Sequence, residues 1–366
     1  ICFFNNCILL TILKESNKMK KTLISLVVPA ALLAFSSSAM AEVVIYGEAA
    51  AGVEHVKSGD FKEARVSNQG SHIGFKGSEE LGNGLEAIWQ IERTVAIDGS
   101  SVDDGEMRDT FVGLKTNGGT VKLGKNTSPY KQTMSGLDLF EDETASVQNG
   151  FGRLNSRLSN SVKYDTPNWG GFTASAAWAT DESKQMGVNN SRNGQTYSVG
   201  ANYEWNNALN VGAAYEQRKD FLTDKDKMEG IKAGASYTFN NNAFVGAGYE
   251  RLSYNSGIAG VDKSTQNAAT LSGSFPVTSA IDIKGNYTKM FDVSNVDNSG
   301  VNIYSVGADY KLSKRTKMGA YYTMVDNDEN SSVDLGNNLV LDQNKGNQVV
   351  DGEKAQAFGV NLKHKF

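Results

Sequence analysis

From Glu42 onward, apolar and polar residues alternate over short stretches, and this two-residue period returns along the whole chain. Leu85, Ala87, Trp89 and Ile91 share one face of residues 85–93, while Glu86, Gln90 and Glu92 share the other. The same alternation carries Val199, Ala201 and Tyr203, then Val211, Ala213 and Tyr215, and recurs as far as Phe358, Val360 and Leu362. A period of two puts alternate side chains on opposite faces of a strand. A helical period is nearly absent.

Short turn signals separate these strands: Asn83-Gly84, Asn117 to Gly119, Asn168 to Gly170, Asn206-Asn207, Asn240 to Asn242, Pro276 to Ser279 and Ser313-Lys314. Asn and Gly tolerate the positive φ of tight hairpins. Successive turns lie 34, 38, 34, 37 and 37 residues apart, but 51 residues separate 117 from 168. Polar loops are expected between the turns, at 58–64, 96–107, 127–160, 181–194, 220–228, 255–264, 292–301 and 326–353. Eight long loops and seven short turns give sixteen strands. An even count, with short turns at one end and long loops at the other, predicts an all-β fold. That fold is a 16-stranded antiparallel transmembrane β-barrel filling residues 42–366 as one domain. A soluble β-sandwich would alternate similarly, so the choice rests on the two ends of the chain.

At the front, Met19-Lys20-Lys21 opens a basic stretch, residues 23–35 are apolar, and Ala39-Met40-Ala41 follows. This reads as a secretory signal over 19–41, cut between Ala41 and Glu42. The 13 apolar residues, interrupted by Pro29, are too few for a membrane helix of roughly 20. Residues 1–18 read as an upstream extension that is not native. At the back, an alternating strand closes on Phe366.

Composition narrows the classes. The 38 glycines have no three-residue period, which excludes a collagen-like chain, and two cysteines exclude a disulfide scaffold. Residues 1–41 hold four bases and one acid, so without them 32 bases face 40 acids. That acidic balance argues against a nucleic-acid partner. The histidines His55, His72 and His364 lie in separate strands without metal-ligand spacing. Asp326-Asn327-Asp328 opens like a calcium loop but has Ser331 and Asn337 where glycine and a closing acid belong. No catalytic residue, metal or cofactor is read from the chain, and a serine-hydrolase barrel finds no suitable serine.

The motifs VVIYGEAAAGVE (43–54), GSHIGFKGSEELGNGLEAIWQIE (70–92), RDTFVGLK (108–115), TVKLGK (120–125), SVKYDTPNWGGF (161–172) and FGVNLKHKF (358–366) run through the chain in order. Together they resemble the general diffusion porins of the Gram-negative outer membrane. The resemblance implies passive passage of ions and small hydrophilic solutes through a water-filled pore. It also implies a homotrimer, a third long loop folded into the lumen, and a C-terminal Phe366 used by the barrel-assembly machinery. The implied surroundings are outer-membrane lipid and lipopolysaccharide. The rival reading is an adhesin or structural barrel whose surface loops bind partners.

The inward-folded loop accounts for the 51-residue interval. Residues 127–160 carry Asp138, Glu141, Asp142 and Glu143, with Leu137, Leu139 and Phe140 as candidate anchors. Facing bases are expected from Arg108, placed in the lumen if Phe111 faces lipid, and from Lys163, Arg157 and Lys125. Strict alternation would turn Lys125 outward, so its place rests on the resemblance. Relatives often have a neutral or basic residue where Glu48 stands, and some have Arg where His72 stands. Both changes remove positive charge from the wall, so a weak preference for cations is expected.

Overall fold

The computed structural model describes residues 42–100, 105–181, 194–221, 225–258, 260–336 and 349–366. The upstream extension and the secretory signal, up to Ala41, lie outside the described residues.

The strands are β1 (Glu42–Ser58), β2 (Phe61–Asn68), β3 (His72–Gly82), β4 (Leu85–Thr94), β5 (Thr110–Thr116), β6 (Gly119–Thr127), β7 (Arg157–Asp165) and β8 (Phe172–Thr180). They continue with β9 (Gln195–Trp205), β10 (Leu209–Lys219), β11 (Lys227–Thr238), β12 (Phe244–Asn255), β13 (Ser264–Pro276), β14 (Ile281–Met290), β15 (Val301–Lys311), β16 (Thr316–Asn327) and β17 (Lys354–Lys365). Pairing is antiparallel throughout, and β17 returns to β1 with Glu48 opposite Lys365. β2 and β3 are two halves of one stave, since β1 pairs with β2 over Ala51–Ser58 and with β3 over Glu42–Glu48. The ring therefore closes as sixteen staves. Closure matters because hydrocarbon offers no hydrogen bonds to an open sheet edge.

The side-chain faces are inverted relative to a soluble protein. Leu271 and Val306 are 59% and 57% exposed on the outside, whereas Glu54, Glu216 and Glu250 are buried inside. An apolar face that is bare outside and carboxylates that are buried inside decide for a barrel over a sandwich.

The short turns fall where Asn was expected to permit them: Asn83, Asn206, Asn207 and Asn242 all have positive φ. One long loop does not form. The segment 58–64 is instead a tight turn at Gly59-Asp60, with strand continuing on both sides. Its sequence looked like a loop because Lys62 and Glu63 are polar on both faces. A stave that rises above the membrane needs no apolar face.

Candidate pore constriction

The third long loop leaves the wall after Thr127 and rejoins it at Arg157. It opens with a helical turn, α1 (Pro129–Gln132), for a local reason. Ser128 Oγ accepts the Lys131 N–H at 3.0 Å, and Pro129 sits where a missing N–H costs nothing. A 3-10 turn follows at Ser135–Leu137.

The loop lies inside the barrel because its apolar and polar groups are taken up by the wall. Leu137, Phe140, Val147, Phe151 and Leu154 are buried. The wall makes room with small residues. A methyl group on Gly248 would stand 2.5 Å from Phe151 Cζ and 2.8 Å from Leu137 Cδ1. Polar anchors complete the seat. Tyr130 donates to Glu250 Oε1 at 2.6 Å, and Arg153 Nε pairs with Glu250 Oε2 at 2.7 Å. Asn286 donates to Leu137 O at 2.6 Å, and Ser305 donates to Ala145 O at 2.7 Å.

The four loop acids divide into two kinds. Glu143 is buried between Lys363 at 3.1 Å and Lys284 at 3.4 Å, both on the wall. Asp138 turns into the loop itself, accepting from Ser146 Oγ at 2.5 Å and from the Phe140 N–H at 3.0 Å. Burial pushes its carboxyl up to about 6. Glu141 and Asp142 face the open space. Asp142 adopts φ 65° and sets its carboxylate 4.0 Å from Arg108. It packs at the gap between β2 and β3, where Gly70 has φ 88° and a methyl group would strike Asp142 Cβ. The interrupted stave is thus where the loop tip meets the wall, and only glycine fits there.

On the wall beside it, Arg108 Nε lies 2.5 Å from Glu92 Oε1, and Tyr46 donates to the other Glu92 oxygen at 2.8 Å. Arg157 approaches Asp109 at 3.4 Å. Arg108, Arg157, Asp142, Glu106 and Lys131 line one cavity of about 410 Å³. Lys131, on α1, is held below its ordinary value first by burial and then by the charge of Arg157.

The other expected residues each have their own partners. Lys163 is buried behind α1, donating to Gln132 Oε1 at 2.6 Å and lying 3.4 Å from Asp165. Lys125 pairs with Glu106 at 3.4 Å, beside a register shift between Gly124 and Asn126. Glu48 meets Lys365 at 3.7 Å near the barrel seam, and His72 Nδ1 lies 2.8 Å from Gly70 O. Phe111 does not face lipid. Val112 and Leu114 are the outward residues, and Lys122 Nζ lies 5.0 Å from the Phe111 ring centre. Arg108 reaches the lumen regardless, because a bend at Asp109 breaks the alternation before β5. At the seam, Phe366 exchanges two backbone hydrogen bonds with Gly47, at 3.1 and 3.2 Å.

Sequence reasoning missed three features. Lys131 was legible in principle, since Ser128-Pro129 is a helix-start signal. Lys284 and Lys363 carry no local signal that sets them apart from other strand lysines. The described ends of the last long loop also pack inward, with Leu335 and Val349 buried in one cluster with Val147, while Asn149 donates to Leu335 O at 2.6 Å. Its composition gave no sign of this.

A closed antiparallel barrel with a bare apolar outside and a charged, loop-narrowed lumen defines a membrane-spanning pore protein. The family model described as Gram-negative porin matches residues 29–330. The chain belongs to that family and is a protein of the Gram-negative outer membrane. It is 31% identical over 367 residues to the major outer membrane protein P.IB of Neisseria meningitidis serogroup A, covering 95% of this chain and 100% of that one. It is 37% identical over 199 residues to the protein of the same name from Neisseria gonorrhoeae, covering 51% of this chain and 54% of that one. The match therefore spans about half the length of the gonococcal relative. Among solved structures, the anion-selective porin from Comamonas acidovorans has the same fold, with a TM-score of 0.76 at 24% identity over 89% of this chain and 100% of that one. OmpT of Vibrio cholerae in its trimer form has a TM-score of 0.67 at 15% identity over 89% of this chain and 99% of that one.

Proposed function

We propose that this chain is a general diffusion pore, passing ions and small hydrophilic solutes without making or breaking a bond. The observation that carries the reading is the loop lodged inside the barrel, with Asp142 paired to Arg108 at 4.0 Å beside a polar cavity of about 410 Å³. Acids on the loop and bases on the wall set up a transverse field in confined water. Low-dielectric walls strengthen it, so dipolar solutes align and apolar ones are disfavoured.

Selectivity is weak, because Glu141, Asp142 and Glu106 face Arg108, Arg157 and Lys131. It leans toward cations, because the acids are the more open to water. Glu106 and Asp142 side chains are 66% and 38% exposed, against 14% for Arg108 and 21% for Arg157. The working unit is a homotrimer. Ala49 and Ala51 on the outward face of β1 allow close approach of two barrels where lipid supplies no hydrophobic drive. Lipopolysaccharide surrounds the trimer, and Phe366 is the residue by which the assembly machinery takes up the chain.

Planar-bilayer recording in a KCl gradient tests the pore. The expected result is an ohmic, ion-passing channel with a small reversal potential on the cation side. That potential fades near 1 M salt, where the Debye length is about 3 Å. Replacing Glu141 and Asp142 by Gln and Asn moves it toward anions. A barrel that inserts but passes no current overturns the reading and leaves a partner-binding barrel. A reversal potential firmly on the anion side overturns the charge assignment alone.

A further inference from the structure

The strand ladder opens at one place beside the constriction. β6 and β7 pair Gly124 with Ser161 and then Asn126 with Leu158, so Ser159 and Asn160 together oppose Lys125. Asn160 takes φ 49°, and a bulge of this kind bends its own strand. The β7–β8 ladder stops at Ser161 opposite Ala179, while β8–β9 continues to Thr180 opposite Gln195. The bulge also brings Leu158 into register to be buried with Ala177 and Ala179.

The space left is a second cavity of about 410 Å³ at the long-loop end of β7–β10, with Arg157, Leu158, Ala179, Asp181, Arg218 and Phe221 on its walls. That volume is within the roughly 300–1,000 Å³ of small-molecule sites. Ser156 and Arg157 also line the constriction cavity, so the two spaces adjoin.

Its lining has three kinds of chemistry. Arg218 commits Nε and Nη2 to Glu216 Oε1, at 2.9 and 2.7 Å, and Nη2 also to Ser156 Oγ at 2.8 Å. Among the described residues its Nη1 makes no hydrogen bond. Arg157 likewise makes no hydrogen bond among them, holding only the ion pair with Asp109 at 3.4 Å. Asp181 accepts the Gly194 N–H at 2.8 Å and has no base within salt-bridge distance among the described residues. Leu158 and Ala179 supply an apolar wall with the Phe221 ring, whose centre lies 5.3 Å from the Arg218 guanidinium carbon. A bare anion gains no net charge match here, because Arg218 and Arg157 already have Glu216 and Asp109. A bare cation would satisfy Asp181 and leave the guanidinium donors unmet. A zwitterion with an apolar body answers all three.

We propose that this cavity is a capture site for α-amino acids with a large apolar side chain. The carboxylate accepts from Arg218 Nη1 and from Arg157, the ammonium pairs with Asp181, and the side chain lies against Leu158, Ala179 and Phe221. This names a solute class for the pore and rests on that reading for its consequence, since a solute held at Arg157 is already at the edge of the constriction. The binding itself rests on the cavity alone.

The test is saturation-transfer NMR of the full barrel in detergent with L-phenylalanine, empty micelles serving as the blank. Glycine, phenethylamine and 3-phenylpropionate are then run as competitors, each lacking one of the three recognised parts. L-phenylalanine should bind saturably, and each competitor should be about tenfold weaker, the worth of one hydrogen bond to a charged group or of a buried side chain. Asp181→Asn keeps an acceptor for the Gly194 N–H and should weaken L-phenylalanine about tenfold while leaving 3-phenylpropionate unchanged. Phe221→Ser should weaken it several-fold. Heat-modifiable migration and single-channel conductance without amino acid should stay as in wild type for both variants. Absence of saturable binding, a competitor that matches L-phenylalanine, or binding insensitive to both variants would each overturn the site. Current without amino-acid binding would fault this inference alone, and binding without current would fault the pore reading and leave the site standing.

Discussion

Glu143 is the charge that ties the constriction loop to the far wall, and Glu143→Gln removes that charge while keeping the shape. The carboxylate is buried, with Lys363 at 3.1 Å and Lys284 at 3.4 Å. Breaking an uncompensated buried pair costs roughly 3–5 kcal/mol. Here the loss is smaller, because Lys284 keeps Asp309 at 3.3 Å and donates to Leu139 O at 3.0 Å. Lys363 has no second acid within salt-bridge distance among the described residues, so it bears most of the loss. A reasonable magnitude is about 2–3 kcal/mol, which shifts docked against undocked loop roughly 30- to 140-fold. The barrel does not depend on this contact, so heat-modifiable migration should be normal. Single-channel recording should show more open-channel noise and more frequent brief closures. Glu141→Gln is the control, since Glu141 faces the passage and, among the described residues, has no wall base within salt-bridge distance; it should alter selectivity and not noise. A double-mutant cycle with Lys363→Met isolates the pair. If the Glu143→Gln channel is as quiet as wild type, the loop is held by its apolar side chains alone and the reasoning fails.

Three further outcomes are expected. Gly248→Val puts a side chain against Phe151 and Leu137, an overpacking worth about 1–3 kcal/mol, and should displace the loop while the barrel stays intact, read as altered conductance with normal migration. Asp138, pushed up to about 6 by burial, binds its proton more tightly in the docked loop than in an undocked one, where it titrates near its ordinary value. Docking should therefore strengthen as pH falls from about 6 toward 4 and lose that increment above 6, and Asp138→Asn should flatten this part of the noise-against-pH curve. Deleting Phe366 removes two backbone hydrogen bonds to Gly47 at the closing seam, and should lower the amount of heat-modifiable barrel in the membrane fraction without lowering synthesis.

The alternation of apolar and polar residues determined the strands by itself, and the two ends of the chain turned that pattern into a barrel. A period of two with an apolar face fixes which side chains meet lipid, and the Asn-rich turns fix where each stave ends. The sixteen-fold count, the lone 51-residue interval and the apolar close on Phe366 were all local patterns, so they could be read without coordinates. What the acids and bases do could not. Asp138, Glu141, Asp142 and Glu143 are near neighbours in sequence, yet one turns into its own loop, one is buried on two wall lysines and two face the passage. Lys163 was expected on the lumen wall like Arg108, and Lys125 only through the resemblance; the first lies behind α1 and the second joins Glu106. Arg108 reached the lumen through a bend that no period predicts. These assignments depend on which groups meet across the barrel, at sequence separations such as Glu143 to Lys363 or Tyr130 to Glu250. A repeat pattern fixes the face of a strand, whereas the partner across a cavity is decided only when the ring closes and the loop folds into it.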